Sequence, residues 1–250
     1  MKRVMWMTSG AMALFVAGAF GQEIKSGAHY DRQIAESANA ELQKKDTLRQ
    51  ITASAEDGIV TLAGTASLYI DKLNAEKKVR RIDKVDGVRN HVAVAGAEVE
   101  DAALLEKLSR KLRYDRVGYG IVFNNLLVGV KDGVVKIDGK VRDFPDRDSA
   151  LAILYTTPGV KDVIDDIDVA PVSGMDDELR LQLAYSIYGH SALQRYTLDP
   201  QAPIRIVVDR GHVELAGVVT NSADRQIAYS QAMSVPGVFS VTNNIVVANN

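Results

Sequence analysis

Three stretches of the chain show the same alternation of apolar and polar residues behind a glycine turn. They are Asp57-Gly58-Ile59-Val60-Thr61-Leu62-Ala63-Gly64, Asp132-Gly133-Val134-Val135-Lys136-Ile137-Asp138-Gly139 and Arg210-Gly211-His212-Val213-Glu214-Leu215-Ala216-Gly217. Glycine supplies φ > 0 at little cost, so each leading Asp-Gly or Arg-Gly pair reads as a hairpin turn. The alternation after it (Val60, Leu62; Val135, Ile137; Val213, Leu215) reads as a strand with one buried face. The trailing Gly64, Gly139 and Gly217 sit inside that strand pattern, where a bulge or the close approach of another backbone accounts for them. Both sets of glycines repeat with intervals of 75 and then 78 residues (58 to 133 to 211; 64 to 139 to 217).

Further elements keep the same register. Ile82, Val85, Val88, Asn90, Val92 and Val94 correspond to Thr157, Val160, Val163, Asp165, Ile167 and Val169, and to Val235, Val238, Val241, Asn243, Ile245 and Val247. Gly159 and Gly237 align with each other, and Lys84 takes that place in the first copy. Between hairpin and last strand a helix is predicted at 71–82, 146–155 and 222–233, with Asp146 and Ser222 as N-cap types and Pro158 and Pro236 as stops. Each copy opens on another helix with apolar residues four apart (Ile34, Ala38, Leu42; Leu104, Leu108, Leu112; Leu179, Leu183, Ile187) and a first strand at 50–55, 126–130 and 204–208. The pattern is helix, strand, strand, helix, strand. The predicted fold class is α+β: three tandem small αββαβ modules, each a mixed sheet with two helices on one face. Their expected bounds are 28–96, 99–170 and 174–248, joined by short linkers. Modules of this size lie near the lower limit for a self-sufficient core.

The first residues change the picture of location. Lys2 and Arg3 precede an apolar run from Val4 to Phe20, and Ala19-Phe20-Gly21 places small residues at −3 and −1. That is a signal-peptide pattern over 1–21 with cleavage before Gln22, and it implies a periplasmic or secreted protein. The alternative is an uncleaved anchor. No later stretch is long and apolar enough to span, so no transmembrane segment is expected in the mature chain. Cysteine is absent, which excludes disulfides, thiolate chemistry and a cysteine-borne lipid anchor. A net charge of −2 gives no global field for nucleic acid, which is not expected as a partner.

The strand motif Asp-Gly-x-Val-x-Leu-x-Gly and the later Gly-Val-x-x-Val-x-Asn-x-Ile-x-Val resemble the BON domain, named for bacterial OsmY and nodulation proteins. The third copy matches best, through residues 211–217 and 236–245. Lys84 in place of glycine and Asp165 in place of asparagine are departures, as are longer loops at 114–125 and 189–203. The resemblance implies a non-enzymatic α/β module of the bacterial envelope, associated with osmotic or envelope stress and with attachment to phospholipid surfaces. Some members resemble periplasmic chaperones in role.

Candidate chemistry adds little. His29, His91, His190 and His212 show no metal-ligand spacing, and His212 stands on a strand face. Asp162, Asp165, Asp166 and Asp168 offer oxygen ligands of the type calcium takes, but they interleave with Val163, Ile164, Ile167 and Val169 as a strand does, without a calcium-binding loop. Gly118-Tyr119-Gly120 lacks a following phosphate-binding pattern. No cofactor and no catalytic residue is expected. The strongest local charge feature is Lys77, Lys78, Arg80, Arg81, Lys84 and Arg89, which suits an anionic phospholipid surface; Glu76, Asp83 and Asp86 interleave with it, as on a solvated helix face. The expected function is therefore an exported binding module for phospholipid or other envelope components. The alternative is a periplasmic chaperone or protein-interaction scaffold, for which an exposed apolar groove between copies would speak.

Overall fold

The computed structural model describes residues 20–116, 120–199 and 203–248. Most of the expected leader, residues 1–19, lies outside the described residues, as do Gly118 and Tyr119. The first copy comprises α1 (Phe20–Gln43), β1 (Ile51–Glu56), β2 (Ile59–Ala66), α2 (Tyr69–Val79), β3 (Gly87–Asn90) and the short β4 (Ala93–Val94). The second comprises α3 (Asp101–Tyr114), β5 (Asn125–Lys131), β6 (Val134–Val141), α4 (Phe144–Thr156) and β7 (Asp162–Val169). The third comprises α5 (Gly174–Gly189), the single turn α6 (Gln194–Thr197), β8 (Ile204–Asp209), β9 (His212–Val219), α7 (Ser222–Met233) and β10 (Ser240–Val247).

The result is α+β, with three mixed sheets ordered β1-β2-β3 (β4 also on β2), β5-β6-β7 and β8-β9-β10. In each, the hairpin partner joins the central strand antiparallel and the post-helix strand joins it parallel, as a βαβ crossover requires. The chain forms two compact units: residues up to Gly64 with Asn74–Val92, and Thr65–Leu73 with the chain from Ala93 onward.

Within the first unit Ile34, Ala38 and Leu42 of α1 are buried, as are Val60 and Leu62 of β2 and Ala75 and Val79 of α2. Within the second unit Leu104 and Leu108 pack with Val135, Ile137, Ala150 and Leu154, while Leu183, Ile187, Ile206, Leu215, Ala228 and Ile245 build the third copy's core. The long α3–β5 loop supplies a short turn, Ile121–Phe123, whose Phe123 belongs to that third core. Asn125 donates to Glu214 (3.1 Å) and Lys140 pairs with Asp209 (3.2 Å), so the second and third copies are in direct contact.

The hairpins share one device. Asp57 and Gly58, Asp132 and Gly133, and Arg210 and Gly211 all have positive φ, between 49° and 78°, the geometry of a type I′ turn. In every copy an aspartate of the first helix accepts both turn N–H groups. Asp31 takes Asp57 and Gly58 (both 3.0 Å), Asp101 takes Asp132 and Gly133 (2.7 and 3.0 Å), and Asp176 takes Arg210 and Gly211 (2.9 and 3.0 Å). Asp176 is buried, so its removal strands the Gly211 N–H away from water. Asp176→Ala is expected to cost about 1–3 kcal/mol, read as a lower urea midpoint with unchanged slope. Asp176→Asn, which keeps one acceptor, should lose less.

Two local features differ from the sequence reading. The N-caps are Asp143 and Asn221, whose side chains accept from Asp146 N (2.9 Å) and Asp224 N (2.8 Å). Asp146 and Ser222 therefore lie inside their helices, because Pro145 fits the first turn and lets α4 begin earlier. The second feature is the segment after α5, which is helical over Ser191–Leu193 and Gln194–Thr197. Leu193 and Tyr196 from that segment are buried in the third core.

The departures at Asp165 and Lys84 also find their reasons. Asn90, Asp165 and Asn243 each accept the N–H two residues on (3.2, 3.1 and 3.2 Å) and each reach the second helix of their copy. Asn90 donates to Glu76 and Asn243 to the Arg225 carbonyl, whereas the acceptor-only Asp165 takes Arg147 instead. Lys84 holds φ 64°, the left-handed conformation that Gly159 and Gly237 adopt more cheaply.

Candidate functional site

The six basic residues of the first copy are carried by α2, the turn after it and β3. Lys77 and Lys78 occupy the last turn of α2, where positive charge is favoured by the helix dipole. Arg80 and Arg81 follow directly. Arg80 pairs with Glu76 one helical turn back (2.6 Å), and Lys78 stands half-exposed near Glu41, whose carboxyl is held below its ordinary value first by a hydrogen bond from Lys44 and last by Lys78. Lys84 sets its ammonium 3.8 Å from the centre of the Tyr30 ring. Lys77 and Arg81 are exposed.

Arg89 departs from the group. On β3 its neighbour Asn90 reaches Glu76 of the helix layer, so alternation turns Arg89 to the open face of the sheet, beside Thr61. The structure thus brings together Lys77, Lys78, Arg80 and Arg81, holds Lys84 on an aromatic ring and sends Arg89 to the other face.

The aspartates of β7 are committed to partners. Asp165 meets Arg147, Asp166 meets Lys136 (2.9 Å), and Asp168 meets Lys140 (3.5 Å). Asp162 lies against the Tyr69 hydroxyl, whose ionisation is pushed up first by burial and then by that carboxylate. Among the described residues no three His, Asp or Glu side chains converge to hold a metal ion. His212 shares a hydrogen bond with Ser240 (2.8 Å) beside the ring of Phe239. No helix among the described residues is long and apolar enough to cross a membrane.

The sequence reading did not find a groove of about 610 Å³ within the second unit. The second copy contributes α3, the loop after it and β5; the third contributes the open face of its sheet. Leu127, Val218 and Val246 are exposed there, and Arg113, Arg116 and Arg205 line the same space. These residues come from separate elements of two copies, so no local motif announces them.

Three copies of one αββαβ unit follow one another along the chain, which is a tandem-repeat protein of small α+β modules. The BON domain family matches residues 30–96, 100–171 and 190–249, and the chain belongs to that family. BON domains are envelope-associated, non-catalytic modules. A protein of Anaplasma centrale, described as an uncharacterized protein in the gshII 5′ region, is 28% identical over 137 residues, 54% of this chain and 91% of its own. CdsD, a structural protein of the type III secretion system of Chlamydia trachomatis, is 15% identical, with 86% of this chain and 92% of that one covered and a TM-score of 0.24. The PrgH periplasmic domain is 14% identical, with 80% and 96% covered and a TM-score of 0.20.

Proposed function

We propose that this is an exported envelope protein that docks on anionic phospholipid surfaces through its first copy, in a cell under osmotic or envelope stress. The observation that carries the reading is the run Lys77, Lys78, Arg80 and Arg81 at the C-terminal end of α2, of which Lys77 and Arg81 are exposed and Arg80 alone is in a salt bridge with a described residue. Each basic side chain close to an anionic bilayer contributes about 1 kcal/mol, and the attraction falls with salt. Membership in an envelope-associated family supports the setting.

Co-sedimentation of residues 22–250 with anionic and neutral vesicles tests this at low and high salt. Binding to anionic vesicles alone, lost in high salt, is the expected result. The triple variant Lys77→Gln, Lys78→Gln, Arg81→Gln is expected to bind about 100-fold more weakly, at about 1 kcal/mol for each of three charges. Glutamine keeps helix propensity, and the lost interaction with the helix dipole is worth at most about 1 kcal/mol per lysine, so the variant should stay folded with only a small drop in its unfolding temperature. Equal binding by the variant, or no binding by the parent, removes the reading. A second reading, a protein-interaction scaffold, is favoured by the apolar residues exposed in the groove between the second and third copies. Suppression of client aggregation in lipid-free buffer, abolished by Leu127→Asp, is its expected signature.

A further inference from the structure

The groove of the second unit combines buried positive charge with an exposed apolar floor. Arg116, which follows α3, is almost fully buried. It donates Nε to Ser149 Oγ (2.9 Å) and a terminal N–H to the Asp146 carbonyl (2.8 Å). Arg205 is half-buried on β8 and donates to the Ile121 carbonyl. Arg113 is exposed on the last turn of α3. All three line the groove, and none forms a salt bridge with a described residue. The carboxylates around them are elsewhere engaged or set back. Glu214 accepts from Asn125 (3.1 Å) and Asn244 (3.2 Å), Asp146 lies behind Arg116, and Asp199 lies toward Arg205.

The guanidinium groups also feel one another. Burial holds Arg116 below its ordinary value, partly offset by Asp146. Burial holds Arg205 down as well; Tyr188 opposes it, Arg113 and Arg116 each add a smaller repulsion, and Asp199 opposes least. An added anion relieves the repulsion between such neighbouring like charges, and guanidinium is the side chain that meets carboxylate or phosphate through two parallel hydrogen bonds.

The strand register says what lies beside the charge. Arg205, Ala216 and Asn244 stand side by side across β8, β9 and β10. The next row along the same face is Val218 and Val246, 52% and 60% exposed, and Leu127 of β5, 65% exposed, joins the same groove. A volume of about 610 Å³ is that of a site for one small molecule rather than for a bilayer face.

We infer that this groove binds a single-chain anionic amphiphile, its carboxylate or phosphate head on Arg113 and Arg205 and its alkyl chain along Val218, Val246 and Leu127. The site shares no residue with the basic run of the first copy and does not depend on the surface-docking reading. It takes single molecules, whether released from a membrane or free in solution.

Calorimetric titration of the full chain tests it, with laurate, dodecyl phosphate, dodecyl maltoside and inorganic phosphate, each below its micellar concentration where one exists. Laurate and dodecyl phosphate are expected to bind one to one. The neutral amphiphile and bare phosphate should bind at least about tenfold more weakly, since each lacks one half of the recognition. Arg113→Gln and Leu127→Asp change exposed side chains, so folding should survive, and each is expected to weaken the anionic amphiphiles about tenfold or more. The triple glutamine variant of the first copy should bind them as the parent does. Equal binding of dodecyl maltoside, affinity unmoved by both Arg113→Gln and Leu127→Asp, or no binding of either anion overturns the proposal. Loss only in the first-copy variant assigns the binding to that cluster and overturns it too, whereas vesicle docking without amphiphile binding sinks this site and leaves the surface reading intact.

Discussion

Alanine at Gly217 is expected to destabilise the second unit by about 3 kcal/mol or more. Gly217 lies mid-strand with φ 108°, and a Cβ built there falls well inside contact distance of the Pro203 carbonyl oxygen. Two costs add. A side chain in that backbone region carries about 1–3 kcal/mol of strain, and forcing β8 away from β9 costs about 1–3 kcal/mol more. Gly64 and Gly139 repeat the geometry, at φ 115° and 117°, against the Gln50 and Asn125 carbonyls. Gly129 is the internal control: it lies in β5, has no positive φ, and has open space where a Cβ would go. Gly129→Ala should be neutral or slightly stabilising, because alanine restricts the unfolded chain. Urea unfolding followed by circular dichroism reads both, and similar midpoints for Gly217→Ala and Gly129→Ala would refute the close-approach account.

Asp224→Ala is expected to cost about 3 kcal/mol at neutral pH. The carboxylate is buried and accepts from the Tyr196 hydroxyl (2.6 Å), from Thr220 (3.3 Å) and from Arg195. Truncation leaves the buried tyrosine hydroxyl one acceptor poorer and breaks an ion pair whose arginine is half in solvent, hence a loss at the lower end for buried pairs. Burial raises the Asp224 pKa, but Tyr196 and Arg195 outweigh it and the net direction is down. The native state therefore holds this proton less tightly than the unfolded chain. Its stabilisation is complete above the unfolded value of about 3.9 and is lost as pH falls through the lower folded value.

Asp146, at the equivalent place in the second copy, runs the other way. Burial and the nearby Asp143 raise it against Asn124, Arg142 and Arg116. Its ionised form costs stability once pH rises through the folded value, so Asp146→Asn should be stabilising at pH 7. Stability against pH, measured for Asp224→Asn and Asp146→Asn, should show the parent's acid-limb loss reduced only in the former.

These two positions show what could be read from the chain and what could not. Asp71, Asp146 and Asp224 keep the 75- and 78-residue intervals of the glycines, and all three are buried. The register was visible, but a polar residue at a helix start reads naturally as a cap, and only the real caps at Asp143 and Asn221 displace that reading. Asp31, Asp101 and Asp176 were hidden for a different reason. They lie 27, 32 and 35 residues before the turn glycines they bind, because loops of different length intervene, so no fixed spacing exposes them. Strand order and the paired helices follow directly from alternation and four-residue spacing, and were legible. Arg89 was assigned to the basic group by proximity in sequence, although strand alternation against Asn90 already separates it. The arginine groove depends on α3 and β8 meeting across two copies, a tertiary fact that no stretch of sequence contains.

The acidic run of β7 has a consequence for self-association. β7 ends the β5-β6-β7 sheet, so one row of its backbone groups faces outward. Such an edge is a template for an incoming strand, and charged side chains are a common guard against it. Asp162, Asp166 and Asp168 share one face of β7 and are exposed. A second molecule aligning its own β7 edge to edge would bring carboxylates opposite carboxylates, with Lys136 and Lys140 already engaged from within. Among crowded neighbours, this strand is built to refuse its own kind.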